Sequence, residues 1–292
     1  MRSVILTRMS QPQGPRPLVE PRPTGDRRLD ALARVLAIVD RLRASDGCPW
    51  DREQTVASLA PSLVEEAHEA VEAIDRASDR HTAAELGDLF MVIALISKVA
   101  EQENRFDLAT VANAVAEKLV RRHPHVFGEV QVGSSAQALA NWEKIKEGER
   151  KQDQEDASAL AGVPLALPAL QRAARIAAKS ISAGFKWDDE SGALLKLREE
   201  VREFEEAYGA RKRDPERTPE RTAEELGDVL LAAAFLGHYL GIDPEKAARQ
   251  SLARFEQRFR RMEGEVGERL RSAPLAELMA AWERAKAATA AR

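Results

Sequence analysis

One cysteine, two tyrosines and four tryptophans in 292 residues exclude several common designs. Cys48 alone cannot close an intrachain disulfide, and it fits the reducing cytosol as the expected compartment. Alternating runs rich in Val, Ile, Thr and Tyr are nearly absent, which speaks against a β-sheet. The longest apolar runs, such as residues 89–96, are far too short to cross a bilayer. Near the start only Val4, Ile5 and Leu6 separate Arg2 from Arg8, which is not the apolar block of a secretory signal. Lys and Arg number 44 against 48 Asp and Glu, a formal net charge of −4. No global basic field draws such a chain to nucleic acid, and neither a nucleic-acid polymer nor a membrane is an expected partner.

What is plentiful is Ala, Leu, Glu and Arg, all good helix formers. The expected class is all-α. Residues 1–26 carry Pro12, Pro15, Pro17, Pro21 and Pro23 and read as a disordered Pro-rich tail. Helical spacing begins at Arg27, with Leu29, Leu32, Val35, Leu36 and Val39 on one stripe. Gly47 and Pro49 in "SDGCPWD" interrupt it. Further helices are expected from about Thr55 to the Asp75 region, from near His81 through the apolar stretch 86–99, from Leu108 to Arg122 ahead of Pro124, and around "NWEKIK". The charged stretch "KEGERKQDQEDAS" has no apolar period and reads as a linker.

The second half repeats the first. "GCPWD" at Gly47 answers to "GFKWDD" at Gly184, and "EEAHE" at Glu65 to "EEVRE" at Glu199. "ELGD" recurs at Glu85 and Glu225, and "NWEKIK" at Asn141 answers to "AWERAK" at Ala281. The four matches keep their order and nearly constant offset. They predict two copies of one helical domain, over 27–150 and 164–292, joined by a charged linker at 151–163.

Between Leu59 and Ile74 there is no Lys or Arg, yet Glu65, Glu66, Glu69 and Glu72 crowd the stretch. At about 100° per residue, Glu65, Glu66 and Glu69 fall within one arc of a helix. Glu85 and Asp88, three apart, share a face of the next helix. If the two helices pack antiparallel, five carboxylates face one cleft, where they repel one another unless a cation joins them. All-oxygen donors suit Mg²⁺ or Mn²⁺, completed by water and substrate phosphates. The bland alternative for a single EExxE is a solvated acidic face. The repetition of EExxE followed by ExxD, each time with an apolar helix behind it, favours the metal. Glu65 and His68 form an ExxH as in di-iron bundles, but no second ExxH exists, and Arg202 stands where His68 would recur. His68 reads as exposed, and His123 and His125 read as turn residues around Pro124.

"GCPWDREQT", "LVEEAHEAVEAI", "AELGDLF", "RFDLATVANAVAEKLVRRHPHVFG" and "NWEKIK" together resemble the MazG family of nucleoside triphosphate pyrophosphohydrolases. The resemblance is most specific in the first half. It implies two tandem all-α MazG-like helical-bundle domains in an intertwined homodimer. It also implies Mg²⁺-dependent hydrolysis of NTPs or dNTPs to nucleoside monophosphate and pyrophosphate. Carried over by motif, the metal ligands are Glu65, Glu66, Glu69, Glu85 and Asp88, then Glu199, Glu200, Glu203, Glu225 and Asp228. Glu66 or Glu200 is the expected catalytic acid that orients water or takes its proton. Lys118, Arg121 and Arg122, Arg254 and Arg258, and Lys196 match basic residues that meet phosphates in the family. Trp50 and Trp187 precede the acidic helices, either to stack on a base or to serve as core.

The second half departs from the family where Asn is common, with Phe235 and Leu252 in those places. Polar contacts to nucleotide are lost there, although the acids remain. Members of the family often rely chiefly on the second domain, so the resemblance implies that the second copy is the main site by a small margin. The apolar residues Leu89, Phe90, Val92, Ile93 and Leu95 face too many directions for one small core, which anticipates a partner subunit. The alternatives are a narrow dUTP or dCTP pyrophosphatase and a non-catalytic helical adaptor with structural metal.

Overall fold

The computed structural model describes residues 19–152, 158–213 and 219–290, and every regular element among them is helical. The chain divides into two compact units, one up to Ile145 and the other from Lys146. No single helix among the described residues is long and apolar enough to cross a membrane.

The first unit begins with α1 (Arg27–Leu42), whose N-terminus is capped by the Asp26 carboxylate accepting from the Arg28 amide. A short α2 (Pro49–Glu53) starts on Pro49, where the missing N–H costs nothing. Then come α3 (Ala60–Asp75) and α4 (Asp79–Gln102), a helical hairpin that forms the main packing contact of the unit. Residues 55–59 form turns rather than the first turn of α3, because Thr55 and Ser58 hydrogen-bond to each other's backbone amide. The core gathers Val39 of α1, Leu59, and Ala94, Leu95 and Val99 of α4. α5 (Leu108–Arg122) is capped by Asp107, which accepts from the Thr110 amide and hydroxyl. It buries no residue, and its Val111, Val115 and Leu119 stay exposed. α6 (Pro124–Phe127) follows, then α7 (Ser135–Gln152), in which the unit boundary falls. Residues 146–152 are thus helical although they lack an apolar stripe. Their Lys, Glu, Arg and Gln are good helix formers that need no buried face to extend an existing helix.

The second unit contains α8 (Ala169–Ser182), α9 (Glu190–Arg213), α10 (Pro219–Tyr239), α11 (Pro244–Val266), a 3₁₀ turn over Gly267–Arg271, and α12 (Leu275–Ala290). α9 packs along α10 as α3 does along α4, and α8 covers α10 as α1 covers α4. α11 and α12 form a second hairpin around Met262, Val266, Ala281 and Ala285. The small Ala281 and Ala285 let the helices approach closely enough for Phe259 and Trp282 to close the gap. Residues 1–18 of the expected tail and 153–157 of the expected linker lie outside the described residues.

The turn from α3 to α4 passes through Ala77 at φ 52°, a left-handed conformation that a Cβ disfavours. Ala77→Gly should remove that strain and, after the added unfolded-state entropy, raise stability by about 0.5–1 kcal/mol. Urea unfolding followed by circular dichroism reads this, and an unchanged or lower midpoint refutes it.

Candidate active site

The α3–α4 hairpin brings Glu66, Glu85 and Asp88 together, with one carboxylate oxygen of each within 4.8 Å of the others. The α9–α10 hairpin does the same with Glu200, Glu225 and Asp228. The spacing explains this. Glu85 and Asp88 stand almost one turn apart on α4 and project on the same side, and Glu66 meets them from α3. Glu65 and Glu69 are more exposed than Glu66. Glu69 instead lines a groove running off the cluster with Glu72, Ala73, Arg76, His81 and Glu85. Glu199 is exposed and Glu203 half-buried on α9.

The two clusters differ in charge balance. In the first, loss of water around the carboxylate, then the negative charges of Glu69, Asp88, Glu85 and Glu65, push the Glu66 carboxyl above its ordinary range. Among the described residues none of these five acids makes a salt bridge. In the second, the Lys196 ammonium lies 2.7 Å from Glu200 Oε1 and 2.9 Å from Glu199 Oε1. Hydrogen bonds to Glu200 and then Glu199 hold that ammonium well above the usual lysine range. The same lysine holds the Glu199 carboxyl below its own. Arg221 Nε stands 3.4 Å from Glu225 Oε1. Glu200 is buried, with 7% of its surface exposed, so its partner matters more than a surface pair does. Both clusters offer only oxygen donors in close array, which fits a hard divalent cation and no softer metal.

The other anticipated residues are placed less centrally. Lys118 and Arg121 are exposed on α5, and the Arg122 guanidinium lies 5.5 Å from the centre of the Trp142 ring. Arg254 is exposed on α11, while Arg258 donates to the Thr289 hydroxyl of α12 at 3.0 Å. His68 is exposed. His123 caps α5 by bonding the Leu119 carbonyl through Nδ1 at 2.7 Å, and His125 sits beside it.

The two tryptophans part company. Trp50 is 60% exposed on α2. Trp187 is half-buried, its ring set edge-on to Phe235 and tilted against Tyr239, each with centroids 6.1 Å away. The Tyr239 hydroxyl accepts from the Trp187 amide at 2.8 Å and donates to the Trp187 carbonyl at 3.1 Å. Phe235 is thus a buried support for the tryptophan loop, whereas Leu252 is exposed on α11. In the first unit the equivalent loop is tied by Arg43, which sequence patterning did not single out. Its guanidinium donates to the carbonyls of Asp51 and Gln54 and to Gln102 Oε1 at the end of α4. No spacing rule flags such a bond, because one partner is backbone.

The described residues thus define an all-α protein with two hairpin-borne carboxylate clusters that could each hold a metal ion. Its family follows from comparison. Residues 54–127 match the MazG nucleotide pyrophosphohydrolase domain. The chain is 38% identical over 242 residues to the nucleoside triphosphate pyrophosphohydrolase of Escherichia coli (strain K12), covering 82% of this chain and 90% of that one. It is 35% identical over 255 residues to the nucleoside triphosphate pyrophosphohydrolase/pyrophosphatase MazG of Thermotoga maritima, covering 86% and 94%. The chain belongs to the MazG family.

A Cβ on Gly192 would come within 2.7 Å of Trp187 Cβ, Cγ and Cδ1, so the indole lies directly against α9. Gly192→Ala should push the Trp187 ring off that seat. It should cost about 1–3 kcal/mol of stability, as overpacking does, and alter near-ultraviolet circular dichroism. Unchanged stability and spectrum would show that the ring is not seated there.

Proposed function

We propose that this protein hydrolyses nucleoside triphosphates to nucleoside monophosphate and pyrophosphate, with broad base tolerance and with Mg²⁺ at the hairpin carboxylates. The observation that supports this most is the duplicated carboxylate trio, in a family whose relatives are named nucleoside triphosphate pyrophosphohydrolases. Glu66, Glu85 and Asp88 would hold the cation in the first unit, with Glu65 and Glu69 beside them. Glu200, Glu225 and Asp228 would do so in the second, with Glu199 and Glu203. When bound, the ion supplies neutralisation of triphosphate charge and polarisation of the phosphoryl oxygens.

The chain's own residues do the rest. The half-buried Glu66 stands in the first trio, where its carboxylate can orient the attacking water or take its proton. Glu200 holds the corresponding place in the second unit. Lys196 lies beside the second trio, where an ammonium can also meet a phosphate oxygen. The exposed Trp50 offers a face for base stacking, which gives affinity with little discrimination. The seated Trp187 is better fitted to hold its loop. Lys118, Arg121, Arg122, Arg254 and Arg258 are further candidates for phosphate contact.

Purified protein given a panel of NTPs and dNTPs should release monophosphate and pyrophosphate with Mg²⁺ or Mn²⁺ and none in EDTA. Full turnover without divalent cation refutes the mechanism. Turnover of one pyrimidine nucleotide alone indicates the narrow enzyme, and no turnover indicates the adaptor. Glu200→Gln should lower turnover at least tenfold, a loss of about 1.4 kcal/mol in transition-state stabilisation. Glu66→Gln should cost less, and the double variant should be inactive. A harmless Glu200→Gln beside an inactive Glu66→Gln reverses the assignment.

The homodimer belongs to the same proposal. Val111, Val115 and Leu119 of α5, with Leu86 on α4, form exposed apolar surface that a second copy would cover. Light scattering at micromolar concentration should give twice the 32.2 kDa chain mass, and the mass of a single chain overturns the dimer.

A further inference from the structure

The two carboxylate trios have the same ligand types, two Glu and one Asp, and in each the oxygens lie within 4.8 Å of one another. Their surroundings differ. Three residues before Glu199 stands Lys196, and three before Glu65 stands Ser62. Four before Glu225 stands Arg221, and four before Glu85 stands His81. The second trio therefore carries one ammonium in direct contact with its buried member and one guanidinium at the edge of another. Among the described residues the first trio has neither. His81 Nδ1 is instead bonded to Ser78 Oγ at 2.7 Å.

On the metal-binding reading above, we propose that the two units hold divalent cations with unequal affinity: tightly in the first and weakly in the second, where Lys196 is an internal counter-cation. A cation entering the first trio relieves repulsion among carboxylates that have no positive partner among the described residues. A cation entering the second must share Glu200 with an ammonium already 2.7 Å away, and it meets that ammonium's like charge at short range. The Lys196–Glu200 pair is shielded by the burial of Glu200, so breaking or stretching it is costlier than disturbing a solvated pair. Arg221 is two-thirds exposed, and its effect is smaller because water and salt screen it. The consequence is a division of labour. The first centre fills with cation by itself, and the second fills readily once phosphate oxygens give Lys196 another partner.

The test is a Mn²⁺ titration of the full-length protein without nucleotide, reading free Mn²⁺ by electron paramagnetic resonance. Two affinity classes at least tenfold apart are expected, and the gap should narrow with added salt. Glu66→Gln should remove the tighter class, and Glu200→Gln the weaker one. Lys196→Met should tighten the weaker class about tenfold. Ser62→Lys, a separate variant in the other unit, should loosen the tighter class and so tests the idea even if Lys196→Met fails to fold. Two equal classes in the unmodified protein overturn the proposal while leaving the metal sites standing. So do two classes that neither charge change moves in the stated direction. Absence of any Mn²⁺ binding overturns the metal reading itself, and this proposal with it.

Discussion

Mutual repulsion of carboxylates is the constraint around which each unit is arranged. Three acids with oxygens inside 4.8 Å destabilise one another in any low-polarity surrounding, and a helix has no interest in collecting them for its own sake. Loss of water, and after it that repulsion, pushes the Glu66 carboxyl above its ordinary range in the first unit. Something must hold the two acidic helices together against it. In both units that is the apolar back of the hairpin, where Ala94, Leu95 and Val99 pack with Val39 and Leu59, and where α8 lies over α10.

The repeat solved the same problems twice with different atoms. The tryptophan-bearing loop must be fastened near the end of the long apolar helix. Arg43 does this in the first unit, donating to the loop carbonyls of Asp51 and Gln54 while Gln102 Oε1 accepts from the same guanidinium. In the second unit a single Tyr239 hydroxyl bonds both amide and carbonyl of Trp187, with Phe235 beneath the ring. The excess negative charge is likewise handled in two ways. The first unit leaves it uncompensated, and the second sets Lys196 against it. The two units share the paired helices and the acid trio and differ in the residues around them.

The helical class, the repeat and the acids on paired helices were legible because each has a period or a motif. The short α2 and α6 were not, since four or five residues carry no period. Apolar spacing predicts the start of α3 near Thr55 because it does not register the Thr55–Ser58 turn that delays the helix to Ala60. Phe235 looked like a missing polar contact in the sequence, whereas its side chain packs under Trp187. Arg43 was invisible because its partners are a backbone carbonyl pair and a residue about sixty positions away.

By itself the sequence determined that the chain is helical, that it is built twice, and that each copy carries EExxE and ExxD at spacings that align acids along helices. Those properties are local: propensity, period and motif operate within a few turns. Only tertiary structure decided which acids meet. Of five candidates per copy it brought three within one cation's reach, left Glu65 and Glu199 toward solvent, and set Lys196 against the second trio while giving the first no basic side chain among the described residues. It also made Trp50 exposed and Trp187 seated, although the motifs around them match. Electrostatic and packing energies depend on distance and on excluded water, and both are set by the helix that packs opposite rather than by neighbours in the chain.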